Sequence, residues 1–332
     1  MKFKDAIGID VSKNTIDVFI HGPKLTQQFE NDLKGFKKMY KWATSHYSGD
    51  DFDHVIFCFE YTGIYSTPLS IFLDDLKQAF ILVAPLQIKK SMGMVRGKND
   101  KVDAYRIAEY AYLRRDLIKP TKIPSKNIMK LQKLISLREK LVKQRAGFSA
   151  DLKEYRTVLG KERHGPIINV QNKMLNYLAK QIKAIEQELK ELIKNDEHIN
   201  KIYKLVTSVD GIGLILAVNL IVTTNCFMNF DCARKYACYA GIAPFEKQSG
   251  TSLRSKSKVS HTANKNMKSL LTLAAFSAIQ KNSELKNYYR NRLEKGKSKM
   301  GTINIIRNKI VHRVFAVVKR QTPYVNVHAF AN

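Results

Sequence analysis

The chain has 332 residues, 44% of them apolar, with 57 Lys/Arg against 29 Asp/Glu and a formal net charge of +28. That length argues for at least two domains, and the apolar share supports packed cores, which excludes a disordered chain. The longest apolar run, GIGLILAVNLIV at Gly211–Val222, is too short for a bilayer span, and MKFKDAIGID at the start lacks an apolar signal region, so a cytoplasmic protein without a membrane segment is expected.

The first elements read as β-branched apolar runs, AIGIDVS (Ala6–Ser12) and TIDVFIHG (Thr15–Gly22), joined by a tight Lys13-Asn14 turn. KLTQQFE (Lys24–Glu30) is expected as an edge strand, and Leu33, Phe36, Met39, Tyr40 and Ala43 follow at helical spacing. HVIFCFE (His54–Glu60) has the continuous apolar character of a strand buried on both faces; a helix over about 66–77 and a strand AFILVAP (Ala79–Pro85) complete the block. The resulting order, β-β-β-α-β-α-β-α, is that of an RNase H-like α/β domain. Cys58, Cys226, Cys232 and Cys238 have no zinc-ligand spacing and are expected to be buried free thiols.

Acids interrupt this apolar pattern at chosen places. Asp10 lies within a strand and Glu60 ends one, and an unpaired buried carboxylate is costly. Asp100 and Asp103, three positions apart, share a helix face in GKNDKVDAYRIAEY. In an RNase H-like sheet the first and fourth strands are neighbours, so Asp10 and Glu60 meet at one end and the helix adds its pair. Four such carboxylates repel one another unless divalent cations neutralise them, and hard oxygen donors suit Mg²⁺ or Mn²⁺. Taken singly, each acid has a plainer role as a strand end, helix cap or first-turn charge. Asp17 has no evident partner and Glu109 falls on another helix face, so both are set aside.

From about Ser125 the pattern becomes long helices. Leu175, Leu178, Ile182, Ile185, Leu189 and Leu192 form a heptad seam, while a looser seam upstream is interrupted by Arg138 and Arg145. GKERHGP (Gly160–Pro166) carries the residues that turn the chain, which predicts an antiparallel helical hairpin packing on itself or on a second protomer. The predicted divisions are 1–122, 123–199 and 200–332, the last a mostly α unit. Residues 1–120 hold 18 Lys/Arg and 15 Asp/Glu, whereas the remainder holds 39 and 14, a balance suited to a polyanion. Gly211 and Gly213 in SVDGIGLILAVNLI resemble a helix-hairpin-helix turn whose N–H groups meet a phosphate, or form a plain turn between core helices.

Lys247 to Ser283 contains seven Lys/Arg and no acid. An exposed loop is expected from about Phe245 to Thr262, with Arg254, Lys256 and Lys258, followed by Lys265 and Lys268 on a helix, as candidate phosphate contacts. A serine here, next to glycine and cations, has the character of a nucleophile on phosphorus. The residues alone do not choose among Ser249, Ser252, Ser255, Ser257 and Ser260.

IGIDVSK, FEYTGIY, GKNDKVDAYRIA and YAGIAPFEKQSG…NKNMKSLLTLAA, in this order and spacing, resemble the IS110 family of insertion-sequence transposases, DEDD-type recombinases guided by a bridge RNA. The resemblance spans essentially the whole chain. It implies a RuvC-like N-terminal domain with Asp10, Glu60, Asp100 and Asp103 as a Mg²⁺ tetrad, and a transposase domain whose catalytic serine is Ser249. It also implies donor and target DNA duplexes, a structured guide RNA, and a dimer or tetramer. One departure is Ala263-Asn264, where the family has Gly-Asn. The competing readings are a RuvC-like nuclease that hydrolyses junctions without a covalent serine, and a nucleic-acid-binding scaffold without catalysis.

Overall fold

A five-stranded mixed sheet organises the first of two structural units, Met1–Ile123, in the computed structural model. Residues 3–91, 100–158, 165–249, 253–259 and 262–326 are described, with backbone alone at 49, 50, 100, 101, 245–249 and 253–258. The strands are β1 (Asp5–Val11), β2 (Thr15–Ile20), β3 (Leu25–Glu30), β4 (Val55–Glu60) and β5 (Phe80–Val83), in the order β3-β2-β1-β4-β5. β1, β2 and β3 pair antiparallel, while β4 and β5 extend the sheet parallel to β1. The helices are α1 (Leu33–Thr44), α2 (Thr67–Asp75), α3 (Pro85–Ser91) and α4 (Asp100–Leu113). Asp32 caps α1 by accepting from the Gly35 N–H at 2.7 Å, so the helix begins where its apolar period begins.

Strand side chains alternate between faces, and each face of this sheet has its own core. Ile7, Ile9, Val18, Phe57 and Phe59 pack with Phe36 and Met39 of α1 and Leu69 and Leu73 of α2. On the opposite face Ala6, Ile56 and Cys58 pack with Ile107 and Ala111 of α4. Burial on both faces explains why β1 and β4 read as continuous apolar runs. β3 buries only Phe29, as an edge strand does.

Among the described residues the second unit, Pro124–Asn332, is helical apart from one two-stranded ribbon. It begins with α5 (Lys126–Val158) and α6 (Gly165–Asn195), which pack against each other; the Gly160–His164 part of the predicted turn lies outside the described residues. Their pairing is antiparallel: Arg138 meets Glu186, while Arg156 Nη2 donates to Asn172 Oδ1 at 3.4 Å. Leu178, Ile182, Ile185 and Leu189 of the expected seam are buried. Arg138 does not break the upstream seam. Its guanidinium spans the helix pair to the Glu186 carboxylate at 2.7 Å, turning a seam position into an ion pair.

Then follow α7 (Glu197–Thr207), α8 (Leu214–Thr224), α9 (Ala233–Tyr239), β6 (Phe245–Ser249), β7 (Leu253–Lys258), α10 (Lys265–Lys281), α11 (Ser283–Glu294) and α12 (Lys299–Arg320). A shared core joins the base of the α5–α6 hairpin to α7, α8, α10 and α12 through residues such as Leu131, Leu189, Leu220, Leu271 and Ile310. The segment expected as a loop over 245–262 is instead largely an antiparallel ribbon. Its Ser-Lys alternation has no apolar period, and the pairing is carried by backbone hydrogen bonds that side-chain patterning does not reveal. All four cysteines are free, as expected, but only Cys58 and Cys226 are buried; Cys232 is exposed. Among the described residues no helix is long and apolar enough to cross a membrane.

Candidate active site

Asp10 and Glu60 follow the last β1–β4 pair, Ile9 with Phe59, so they stand side by side near the C-terminal ends of adjacent parallel strands. Such ends are where open α/β sheets place their ligands. Both project to the face that α4 covers, because Gly8 and Cys58, two positions earlier, lie on that face. Gly8 determines how close α4 comes. A methyl group there would sit 2.2 Å from the Ala104 carbonyl oxygen and 2.3 Å from the Ala108 nitrogen. Backbone therefore lies on backbone, with Ala104, Ala108 and Ala111 all fully buried on the helix side. This contact brings Asp103, one residue before Ala104, to the acid-bearing end of the sheet.

The electrostatics register that convergence at Glu60. Its carboxyl is held above the usual range, first by burial, then by the fields of Asp10 and Asp103. Acids from β1, β4 and α4 therefore act on one another. They do not meet at ligating distance: among the described residues no three His, Cys, Asp or Glu side chains are grouped so as to hold one ion. Asp103 accepts from Arg106 Nη1 at 2.9 Å, one helical turn on. Asp100 begins α4, but its side chain lies outside the described residues. The donor chemistry nonetheless fits a hard divalent cation, which would relieve the repulsion felt at Glu60.

Two acids that invite the same reading have structural partners. Asp5, at the other end of β1, is buried; both its oxygens accept from the Gly22 N–H, and the Tyr47 hydroxyl donates to Oδ2 at 2.7 Å. Asp17 is not partnerless: it is buried, and Gln28 Nε2 donates to both its oxygens at 3.1 Å. It also stands directly opposite Asp10 in the β1–β2 pairing. Gly8, Arg106 and Gln28 are the residues that sequence reasoning missed. A glycine inside a strand, facing alanines spaced four and three apart on a helix, was the available signal for the first.

In the second unit, Ser249 is the last residue of β6 and pairs with Leu253, so its backbone is at the turn end of the ribbon. Ser255 pairs with Lys247 within the ribbon, and Ser257 also lies within β7. Ser252 and Ser260 lie outside the described residues, as do the side chains of Ser249, Arg254, Lys256 and Lys258. The ribbon has an ordered foot. Asn264 caps α10 by accepting from the Met267 N–H at 3.0 Å, and its amide donates to the Tyr239 hydroxyl at 2.9 Å. Ile242 O accepts from Asn304 and Asn308 of α12 at 2.8 and 3.0 Å. Gly241, with φ +65°, would place a methyl 2.7 Å from the Ala263 Cβ, so Ala263 already fills the space beside this turn.

Lys265 is exposed and Lys268 half-buried on the first turns of α10. Gly211 is needed for packing: φ is +89°, and a methyl there would lie 2.3 Å from the Ala274 carbonyl oxygen. Gly213 is the exposed N-cap of α8 and supplies no side-chain cap.

Residues 7–157 match a family model described as "Transposase", for the DEDD transposases of IS110, and residues 203–290 match the "Transposase IS116/IS110/IS902 family". The chain is 27% identical to a pilin gene-inverting protein of Moraxella bovis, across 97% of its own length and 98% of that protein. A pilin gene-inverting protein of Moraxella lacunata is similar to the same extent. An uncharacterized 43.6 kDa protein of insertion element IS110 from Streptomyces coelicolor is 26% identical over 150 residues, 45% of this chain and 36% of that protein.

Proposed function

Because the chain belongs to the IS110 family of transposases, we propose that it cuts and exchanges DNA strands through a covalent serine and a carboxylate-held divalent cation. The observation that carries this reading is Glu60, whose proton affinity responds to Asp10 and Asp103 from two other elements. On this reading the first unit is RuvC-like, and Asp10, Glu60, Asp100 and Asp103 hold Mg²⁺ or Mn²⁺. Such an ion supplies Lewis acidity at a phosphate oxygen. Within the protein, Arg106 positions the Asp103 carboxylate, and Gly8 sets the depth at which α4 presents it.

Ser249 is the proposed nucleophile. Its Oγ attacks a phosphodiester phosphorus and gives up its proton, and the P–O bond to the departing strand breaks. The products are a phosphoserine and a free strand hydroxyl. Attack by another strand's hydroxyl on the phosphoserine restores Ser249 and completes the exchange. Inversion of a DNA segment, the activity in the names of the Moraxella relatives, is one outcome of such an exchange.

Net charge supports DNA duplexes and a structured guide RNA as partners, since 39 of the 57 Lys/Arg follow residue 120. Gly213, Lys265, Lys268, Arg254, Lys256 and Lys258 are proposed backbone contacts, with oligomers bringing two duplexes together.

The test is to trap protein–DNA adducts with RNA co-purified from the native host. The wild-type protein forms an adduct that Ser249→Ala abolishes and Ser255→Ala retains. Metal-dependent cleavage that persists in Ser249→Ala would favour a hydrolytic nuclease, and no cleavage by the wild type under any metal would favour a scaffold.

A further inference from the structure

The end of α8 is strained in a way that neither proposed catalytic group accounts for. Asn225, Cys226 and Phe227 are three consecutive non-glycine residues with φ of +48°, +54° and +66°. Runs of left-handed residues persist only where surrounding contacts enforce them, and they concentrate at ligand sites. The contacts here are explicit: the Cys226 N–H donates to Ile221 O, the Phe227 N–H to Thr224 Oγ1, and the Asn229 N–H to Thr224 O. Their effect is to turn Phe227 out of the helix and into the wall of a cleft.

That cleft has a volume of about 500 Å³, within the roughly 300–1,000 Å³ of small-ligand sites. Phe227, Phe230 and Phe315 line it, with His312, Lys319 and Asp231 supplying polar groups. The rings are already fixed: Phe227 meets Phe315 edge to face at 5.0 Å, and Phe230 meets the buried Tyr236 at 5.0 Å. Aromatic walls with a lysine in the lining, in a polypeptide portion holding 39 Lys/Arg against 14 Asp/Glu, match a planar ring attached to a phosphate backbone. A paired base in a duplex keeps its faces stacked on its neighbours; an unpaired base offers its face. One wall of the cleft is linked by ring contact to the foot of the serine ribbon. Phe230 is 5.5 Å from Tyr239, whose hydroxyl is bonded to Asn264 at the ribbon's foot.

We propose that this cleft binds a single unpaired nucleobase, stacking it on Phe227 while Lys319 meets its backbone phosphate. The inference rests on the nucleic-acid reading above and adds to it a site for single-stranded rather than duplex segments.

Fluorescence anisotropy with the full-length protein tests it, using a mixed-sequence single-stranded oligonucleotide and its duplex as probes. Phe227→Leu keeps apolar volume but removes the ring face, and should weaken single-strand affinity about tenfold while leaving duplex affinity within twofold. Lys319→Gln, at an exposed position, should weaken single-strand binding severalfold and flatten its salt dependence. Thermal melts check folding, and Lys319→Gln keeps the test decisive if Phe227→Leu is poorly folded. Equal losses for both probes, or no loss for either, would overturn the base site alone. Wild-type protein that binds neither probe would overturn the nucleic-acid reading as well.

Discussion

Asp5 and Asp10 are separated by four residues on one strand, and their surroundings differ. Asp5 is enclosed by donors from Gly22 and Tyr47, whereas Asp10 stands beside Glu60 and across from Asp17. Glu60 reports the difference, because burial and then Asp10 and Asp103 raise its proton affinity above that of an unfolded chain. A raised carboxylate contributes stability below its unfolded pKa and loses that contribution as pH rises through the folded value. In metal-free protein, Glu60→Gln should therefore raise the melting temperature at pH 7–8 and give no gain near pH 4. Added Mg²⁺ should stabilise wild type more than this variant; calorimetry across pH, with and without chelator, measures both. The sequence made Asp10 and Glu60 visible as acids inside apolar strands. It gave no account of Asp5, whose partners are donors arriving from positions 22 and 47.

The elements with strong periodicity were the most legible. β1, β2, β4 and β5 follow from apolar, β-branched runs and the α6 seam from heptad spacing, because burial is what produced those patterns. The β6–β7 ribbon escaped because Ser and Lys carry no such period, and Arg138 looked like an interruption until Glu186 was opposite it. Asn264 was visible only as part of a motif, yet it caps α10 and steadies Tyr239. Asn264→Ala should cost about 1 kcal/mol from the lost cap, read from a denaturant midpoint. Gly8→Ala should cost about 1–3 kcal/mol as an overpacking change and should also reduce Mg²⁺-induced stabilisation, because it displaces the element bearing Asp103.

At the scale of the whole chain, charge is the dominant property and family membership gives it a substrate. With a net +28, nucleic-acid affinity should fall steeply with salt, and the slope of log affinity against log salt counts the phosphates engaged. If the serine and the acids act from different protomers, mixing Ser249→Ala with Glu60→Ala protein restores recombination that neither has alone. A mixture that stays inactive places both groups in the same protomer or rejects one of them. Length and composition indicated more than one domain and a polyanionic partner. They carried no information about where on the protein such a partner is held, because that depends on how the folded surfaces distribute the charge.

The bare contact of β1 with α4 has a genetic consequence. The atoms that would collide with a methyl group at position 8 are the Ala104 carbonyl oxygen and the Ala108 nitrogen and Cα, all main chain. No trimming of a neighbouring side chain can make room. A selection for intragenic suppressors of Gly8→Ala should therefore return reversion to glycine, or distant stabilising changes, but no compensating replacement at Ala104 or Ala108.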